Sequence, residues 1–186
     1  KRMTYLLLRQ PESILAGRKF EKVRNETLNL SKLYTTKKEL HNNPPKADVY
    51  MTGSDQVWGP VENGSYDSSY CLSFAPKSSK KISYAASFGH TDMTEKLSKY
   101  FQKYLDEYNH ISVREESAAE IIKELGYEVK QVLDPTLLMN AKEWDEYVGK
   151  KINGRYVLVY QLHNDKSLGE YAKKVAKAKG IPLIRV

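Results

Sequence analysis

Small and polar side chains follow three apolar runs of this sequence, at the points where a buried strand would end. The first set follows residues 49–51, the second follows the "KKISYAA" segment, and the third follows "HISV". In α/β proteins, ligands bind at the carboxyl ends of parallel strands, so these are candidate site residues. The three sets are Gly53, Ser54, Asp55 and Gln56; Ser87, Phe88 and Gly89; and Arg114.

These residue types favour the binding of an anion. Gly53 and Gly89 would let backbone N–H groups approach a ligand, and a helix beginning near Glu115 would present its positive dipole end. The guanidinium of Arg114 suits bidentate binding of a carboxylate or a phosphate. A structural interpretation stays open for each: Asp55 can form a turn or cap with nearby backbone, and Arg114 can pair with the glutamates that follow it.

Alternating apolar and helical segments would position these residues. The pattern predicts a helix over residues 10–30, a short helix capped by Thr36 and Glu39, and a strand at residue 49. Strands at "KKISYAA", "HISV" and "EVKQVLDP" then alternate with two amphipathic helices, the second of which ends at Gly126. This order predicts an α/β fold, a Rossmann-like parallel sheet with helices on both faces.

The same pattern predicts two domains. Residues 1–138 would form a Rossmann-like domain that is incomplete at its N-terminus, 139–154 a linker, and 155–186 the start of a truncated second α/β domain. Asn140 is expected to cap a brief helix around Trp144. Since the chain has no initiating Met and ends in an apolar strand, we expect it to be a fragment.

The composition argues against several classes of protein. The single cysteine, Cys71, excludes a disulfide framework and a cysteine metal cluster. No apolar run approaches the roughly 20 residues that span a bilayer. The histidines show no metal-binding spacing, so we expect no metal site and assign them to ordinary loop or surface positions; they are His41, His90, His110 and His163.

The formal net charge of +7 does not predict a nucleic-acid partner. Lysines alternate with glutamates in segments such as "TEKLSKYFQKYLDE", which is typical of a solvated helix face with i,i+4 ion pairs. A weak peripheral attraction to anionic lipid headgroups stays open, because the same charges would serve it.

Four segments occur in one order and at close spacing: "GSDQVW", "KKISYAASFG", "ISVREESAAEIIKELG", and "VLDPTLL" followed by "EW". Together they resemble the polysaccharide pyruvyl transferase family over roughly residues 10–186. The resemblance implies the first domain of a two-domain GT-B architecture and the start of the second, with the active site between them. It also implies transfer of a pyruvyl group from phosphoenolpyruvate to two sugar hydroxyls as a cyclic ketal, in the biosynthesis of bacterial exopolysaccharide.

The resemblance gives each candidate residue a role. Arg114 matches the phosphoenolpyruvate-binding arginine, and Asp55 and Gln56 would position acceptor hydroxyls while Trp58 packs beneath them. Asp55 is also the candidate base, since the hydroxyls must lose protons. The catalytic candidates are Asp55 and Arg114; the substrate-binding candidates are Gly53, Ser54, Gln56, Ser87, Phe88, Gly89 and Arg114. Asp134 is expected to fix the exit of its strand.

The partners that follow are phosphoenolpyruvate as donor substrate and a sugar or lipid-linked saccharide as acceptor. No cofactor, metal or nucleic acid is expected, and the site of action would be the cytoplasm or the inner face of the membrane. The fragment is expected to be inactive alone, because the family's Arg-x-His-type segment lies in the second domain. Two alternatives stay open: a GT-B glycosyltransferase that uses a nucleotide sugar, and a non-catalytic carbohydrate-binding domain.

Overall fold

The structure is a computed structural model that describes residues 14, 17–62, 64–149, 152–162 and 165–186. The chain divides into two compact units, one that extends to Leu138 and one from Met139 to Val186. A separate linker over 139–154 and the GT-B architecture both stay predictions.

The described part of the first unit contains four strands and four helices. The strands are β1 (Val49–Gly53), β2 (Lys80–Tyr84), β3 (Ser112–Val113) and β4 (Lys130–Gln131), and the helices are α1 (17–27), α2 (Lys37–Asn42), α3 (Glu95–Leu105) and α4 (Glu116–Glu124). β1 pairs with β2 and β3 pairs with β4, both in parallel. Parallel bridges from Ile82 to His110 and from Ala86 to Val113 place β3 beside β2. The parallel α/β prediction is therefore confirmed, with strands in the order β1-β2-β3-β4.

The second unit repeats this arrangement on a smaller scale. It contains α5 (Ala141–Asp145), β5 (Val157–Val159), α6 (Lys166–Lys179) and β6 (Leu183–Arg185). β5 and β6 pair in parallel, as the strand-helix-strand pattern predicts. Gly180 ends α6 in the left-handed conformation, with φ of 61°.

The main core lies on one face of the first unit's sheet. Tyr50 and Thr52 of β1 are buried and alternate with Val49 and Met51, which are 46% and 63% exposed. The buried cluster combines β3 with one face each of α3 and α4, and its largest fully buried side chains include Trp58, Phe88, Phe101, Leu105 and Ile122. We expected helices on both faces of the sheet. Among the described residues, α3 and α4 cover one face, and the exposed side chains of β1 lie on the other face.

The helix signals in the sequence are largely confirmed. Thr36 caps α2 by accepting a hydrogen bond from the N–H of Glu39, although the Glu39 carboxylate accepts from Thr35 instead of from Thr36 itself. Asn140 forms a full capping box at the start of α5. Gly126 follows α4 with φ of 94°, as a C-terminal glycine should. Caps of this kind satisfy backbone groups that a helix end leaves unpaired.

The lysines lie mainly on helix faces. Ion pairs at i,i+3 or i,i+4 spacing are confirmed: Lys22–Glu26, Lys99–Glu95 and Lys173–Glu170, at 3.8, 2.7 and 2.8 Å. Helix α1 is confirmed over 17–27, but its apolar residues Phe20 and Val23 stay 78% and 57% exposed. None of the described helices has the length and apolar character needed to cross a bilayer.

Candidate functional site

The turns that follow β1 and β2 lie side by side. The N–H of Ser87 donates to the carbonyl of Asp55 at 3.1 Å, and the N–H of Trp58 donates to the carbonyl of Ser87 at 3.1 Å. The carboxyl ends of parallel strands meet at one edge of a sheet, and these two turns are neighbours at that edge. Because β3 lies beside β2, Arg114 comes to the same edge of the sheet.

Two glycines lie at this edge, both with positive φ. Gly53 has φ of 148°, and a Cβ there would lie 1.9 Å from the carbonyl oxygen of Tyr84. Gly53 therefore lets β1 approach β2; that its N–H contacts an anion stays a prediction. Gly89 has φ of 70°, and a Cβ there would lie 2.6 Å from the side-chain Cδ of Gln56. The amide of Gln56 thus rests against Gly89.

The ladder between β2 and β3 is interrupted just before the site. Ala85 is fully buried with φ of 51°, and Ser83 and Ser112 replace the missing backbone bonds with their hydroxyls. Ser83 Oγ accepts from the N–H of Ser112 at 2.9 Å, and Ser112 Oγ donates to the carbonyl of Ser83 at 2.8 Å. Non-glycine residues in the left-handed region cost about 1–3 kcal/mol and are often found at functional sites.

Arg114 links three strand ends. Its Nη1 donates to Asp134 Oδ2 at 3.1 Å and to the carbonyl of Ser54 at 3.5 Å, and its Nε donates to Glu115 Oε1 at 2.6 Å. Ser54, with φ of 62°, donates through its hydroxyl to the same Asp134 oxygen at 3.1 Å. The structural interpretation of Arg114, pairing with the following glutamate, is confirmed. A second carboxylate, that of Asp134, shares its charge.

Hydrogen bonds and charge pairing at this link favour the charged forms of both Arg114 and Asp134. Hydrogen bonds from Thr136, Arg114 and Ser54 hold the pKa of Asp134 well below its usual range, with those from Thr136 the largest cause. The hydrogen bond with Glu115 is the main cause that raises the pKa of Arg114. Asp134 also caps the short helix Pro135–Leu137, so the expectation that it fixes the strand exit is confirmed.

A polar pocket of about 300 Å³ opens at this edge. We call it the strand-end pocket; its lining residues are Gln56, Ser87, Phe88, Gly89, His90, Thr91, Glu115, Ser117 and Ala118. Four of the predicted site residues, Gln56 and the Ser87–Gly89 segment, therefore meet in one cavity. Asp55 is not among the lining residues: it is exposed, and its carboxylate accepts from the N–H of Gln56 at 2.7 Å.

Trp58 is 1% exposed and packs against Phe88, Phe101 and Tyr108. The prediction that its indole fills the core beneath the turn is confirmed.

A larger groove, of about 810 Å³, lies along β2 and the segments that precede β3 and β4. It shares no lining residue with the strand-end pocket, and it contains Ile82, Tyr84, His110 and Tyr127. Because the motif residues surround the smaller cavity, we assign the candidate site to the strand-end pocket. No group of three or more histidine, cysteine, aspartate or glutamate side chains suited to a metal occurs among the described residues.

Comparison with known proteins decides the family. The sequence model of the family described as polysaccharide pyruvyl transferase matches residues 7–186. The chain belongs to the polysaccharide pyruvyl transferase family. No curated protein and no solved structure matches it.

In this pyruvyl transferase family member, the structure adds candidate site residues that the sequence did not indicate. His90 was assigned to an ordinary loop, yet it lines the strand-end pocket, and its Nε2 lies 3.1 Å from the hydroxyl of Tyr66. Glu115 was considered only as a partner of Arg114 and also lines the pocket. The one available signal was the position of each beside a predicted site residue. His163 lies outside the described residues.

Proposed function

We propose that this chain supplies part of the active site of a pyruvyl transferase that acts in polysaccharide synthesis. The donor would be phosphoenolpyruvate, and the product a cyclic ketal on two hydroxyls of a sugar. The observation that best supports this is the convergence of the "GSDQVW", "SFG" and "SVRE" segments on one edge of the sheet, in a chain of this family.

The donor needs more positive charge than Arg114 offers. Phosphoenolpyruvate has about three negative charges, which active sites usually neutralise with fixed cations. Arg114 contributes one positive charge but bonds two carboxylates, those of Glu115 and Asp134. We therefore propose that Arg114 holds one end of the donor in a charge-assisted bond, and that further cations outside this cluster complete its binding.

The proposed reaction has three parts. A general acid protonates the methylene carbon of phosphoenolpyruvate, and a sugar hydroxyl forms a bond to the neighbouring carbon, losing its proton to a base. A second hydroxyl then forms a bond to that carbon, also losing its proton to a base, and phosphate leaves with the electron pair of the broken C–O bond. Asp55 is the proposed base, because its exposed carboxylate lies beside the turn that contains Gln56.

The acceptor would be a sugar or a lipid-linked saccharide, handled in the cytoplasm or at the inner face of the membrane. The exposed lysines of the helices support weak contact with anionic headgroups, which the formal charge of +7 would favour.

Calorimetric titration with phosphoenolpyruvate tests the donor assignment. Arg114→Lys keeps the charge but loses the planar fork, so it should weaken phosphoenolpyruvate binding by about tenfold or more. Arg155→Lys, at an exposed position of the second unit, is the matched control and should bind as the parent does. Binding of nucleotide sugars with no response to phosphoenolpyruvate would instead support a glycosyltransferase. Binding of neither ligand would support a carbohydrate-binding domain.

A further inference from the structure

The strand-end pocket has the wrong charge for the donor. Its lining contains one acidic side chain, Glu115, and neither lysine nor arginine. The adjacent guanidinium of Arg114 is already bonded to Glu115 and to Asp134. A ligand with about three negative charges would approach a cluster in which two carboxylates already share one guanidinium, which is costly in a partly buried site.

The pocket offers hydrogen-bonding groups suited to hydroxyls. Six of its nine lining residues have polar side chains: Gln56, Ser87, His90, Thr91, Glu115 and Ser117. Sugar hydroxyls both donate and accept, so a mixture of amide, imidazole, hydroxyl and carboxylate groups can pair with them. The volume of about 300 Å³ is at the lower end of small-molecule sites, which favours one sugar ring over donor and acceptor together.

Glu115 has an unsatisfied oxygen. Its Oε1 accepts from Arg114 Nε at 2.6 Å, while its Oε2 is buried and has no hydrogen-bond partner among the described residues. Glu115 is the N-terminal cap residue of α4, yet its side chain makes no capping hydrogen bond. A carboxylate oxygen without a donor is unfavourable, so a ligand hydroxyl would be stabilised by donating to it once the Glu115 side chain turns this enclosed oxygen toward the pocket.

One ring nitrogen of His90 contacts Tyr66, which leaves the other ring nitrogen for a ligand. Its Nε2 lies 3.1 Å from the hydroxyl of Tyr66, and its ring packs against the rings of Tyr66 and Phe88. Since Nε2 is engaged, Nδ1 is the ring nitrogen available for a sugar hydroxyl. A hydroxyl can donate to or accept from Tyr66, so this contact fits either tautomer of the imidazole.

We infer that the strand-end pocket is the subsite for the uncharged sugar acceptor, with His90 and Glu115 as the side chains that bind its hydroxyl groups. Calling the bound sugar an acceptor rests on the proposed function, but the binding of a neutral sugar ring can be measured whether or not that function is correct. It also separates the two substrates: the donor lies toward Arg114, and the acceptor lies between the Ser87–Gly89 turn and the start of α4.

The test is an NMR titration of the chain with a panel of methyl glycopyranosides, observing the imidazole signals of its four histidines. The signal that is lost in His90→Gln identifies His90, and this signal should shift with at least one glycoside. His90→Gln and Glu115→Gln should each weaken that glycoside's affinity by about tenfold or more, because each removes a hydrogen bond from a confined polar site.

Two substitutions of the same chemical type outside the pocket provide controls. His110→Gln changes an exposed histidine outside the pocket, and Glu116→Gln changes the exposed glutamate next to Glu115. Both should bind the glycoside as the parent does. Thermal unfolding of all four variants verifies that each is folded, and Tyr66→Phe, which retains the imidazole, provides a second variant if His90→Gln unfolds.

Phosphoenolpyruvate distinguishes failure of this inference from failure of the proposed function. Glycoside binding that depends on His90 and Glu115, without phosphoenolpyruvate binding, would support the subsite and count against pyruvyl transfer. Competition between phosphoenolpyruvate and the glycoside for the His90 signal would overturn the inference and leave the transferase intact. The inference is also overturned if no glycoside shifts the His90 signal, or if the control variants lose as much affinity as the pocket variants.

Discussion

Gly53→Ala should separate the first two strands of the sheet. The φ of 148° alone is accessible in practice only to glycine, and forcing alanine into such a conformation costs about 1–3 kcal/mol. In addition, the new Cβ would lie 1.9 Å from the carbonyl oxygen of Tyr84 and 2.8 Å from its carbonyl carbon. These are backbone atoms of β2, paired with Gly53 in the parallel ladder, so relief requires the strands to move apart. We expect a total loss above about 3 kcal/mol.

Comparison with Gly126→Ala separates the cost of the clash from the cost of the backbone conformation. Gly126 also has a positive φ, of 94°, but a Cβ there would meet no atom within 4 Å. This variant should lose only the conformational part, about 1–2 kcal/mol. Urea unfolding, monitored by tryptophan fluorescence, measures the loss of unfolding free energy in both variants, because Trp58 is buried next to the turn after Gly53. Equal losses in the two variants would refute the conclusion that close approach of β1 to β2 requires Gly53.

Three further predictions concern the core and the strand-end link. Trp58→Ala should destabilise the first unit by about 3–5 kcal/mol in urea unfolding, whereas Trp144→Ala, at a site 40% exposed, should cost much less. The lowered pKa of Asp134 means that its carboxylate stabilises the fold above its unfolded-state value of about 3.9 and loses this effect as pH falls toward the folded value. Asp134→Asn should therefore make stability less dependent on pH below about 5, and an unchanged acid limb would contradict this. Burial raises the pKa of Cys71 to about 12, so alkylation at pH 8 should be about a hundredfold or more slower in the native than in the unfolded protein.

Local patterns in the sequence predicted most of the elements, because each element contains its own signals. The capping residues Thr36 and Asn140, the terminal glycine Gly126 and the alternating strands all specify structure over a few residues. The neighbouring positions of the turns at Asp55 and Ser87 also followed, since parallel strands end at one edge.

What the sequence could not predict depends on contacts between distant segments. The 1.9 Å approach that requires Gly53 involves Tyr84 on another strand, and Asp134 reaches Arg114 and Ser54 across 20 and 80 residues. The sequence left open whether Arg114 binds an anion or pairs with the glutamates that follow it, and it did not indicate the second carboxylate, that of Asp134. Similarly, the only signal for His90 in the sequence was its position next to Gly89, and the fold was needed to show that His90 and Glu115 line the same cavity.

The central claim is that the donor is phosphoenolpyruvate and that it contacts Arg114. Saturation-transfer NMR tests it directly, with the protein in an equimolar mixture of phosphoenolpyruvate and a nucleotide sugar. The account predicts saturation of the vinyl protons of phosphoenolpyruvate, reduced in Arg114→Lys and unchanged in Arg155→Lys. Saturation of the nucleotide-sugar protons alone, or a phosphoenolpyruvate signal that both variants leave unchanged, would contradict it.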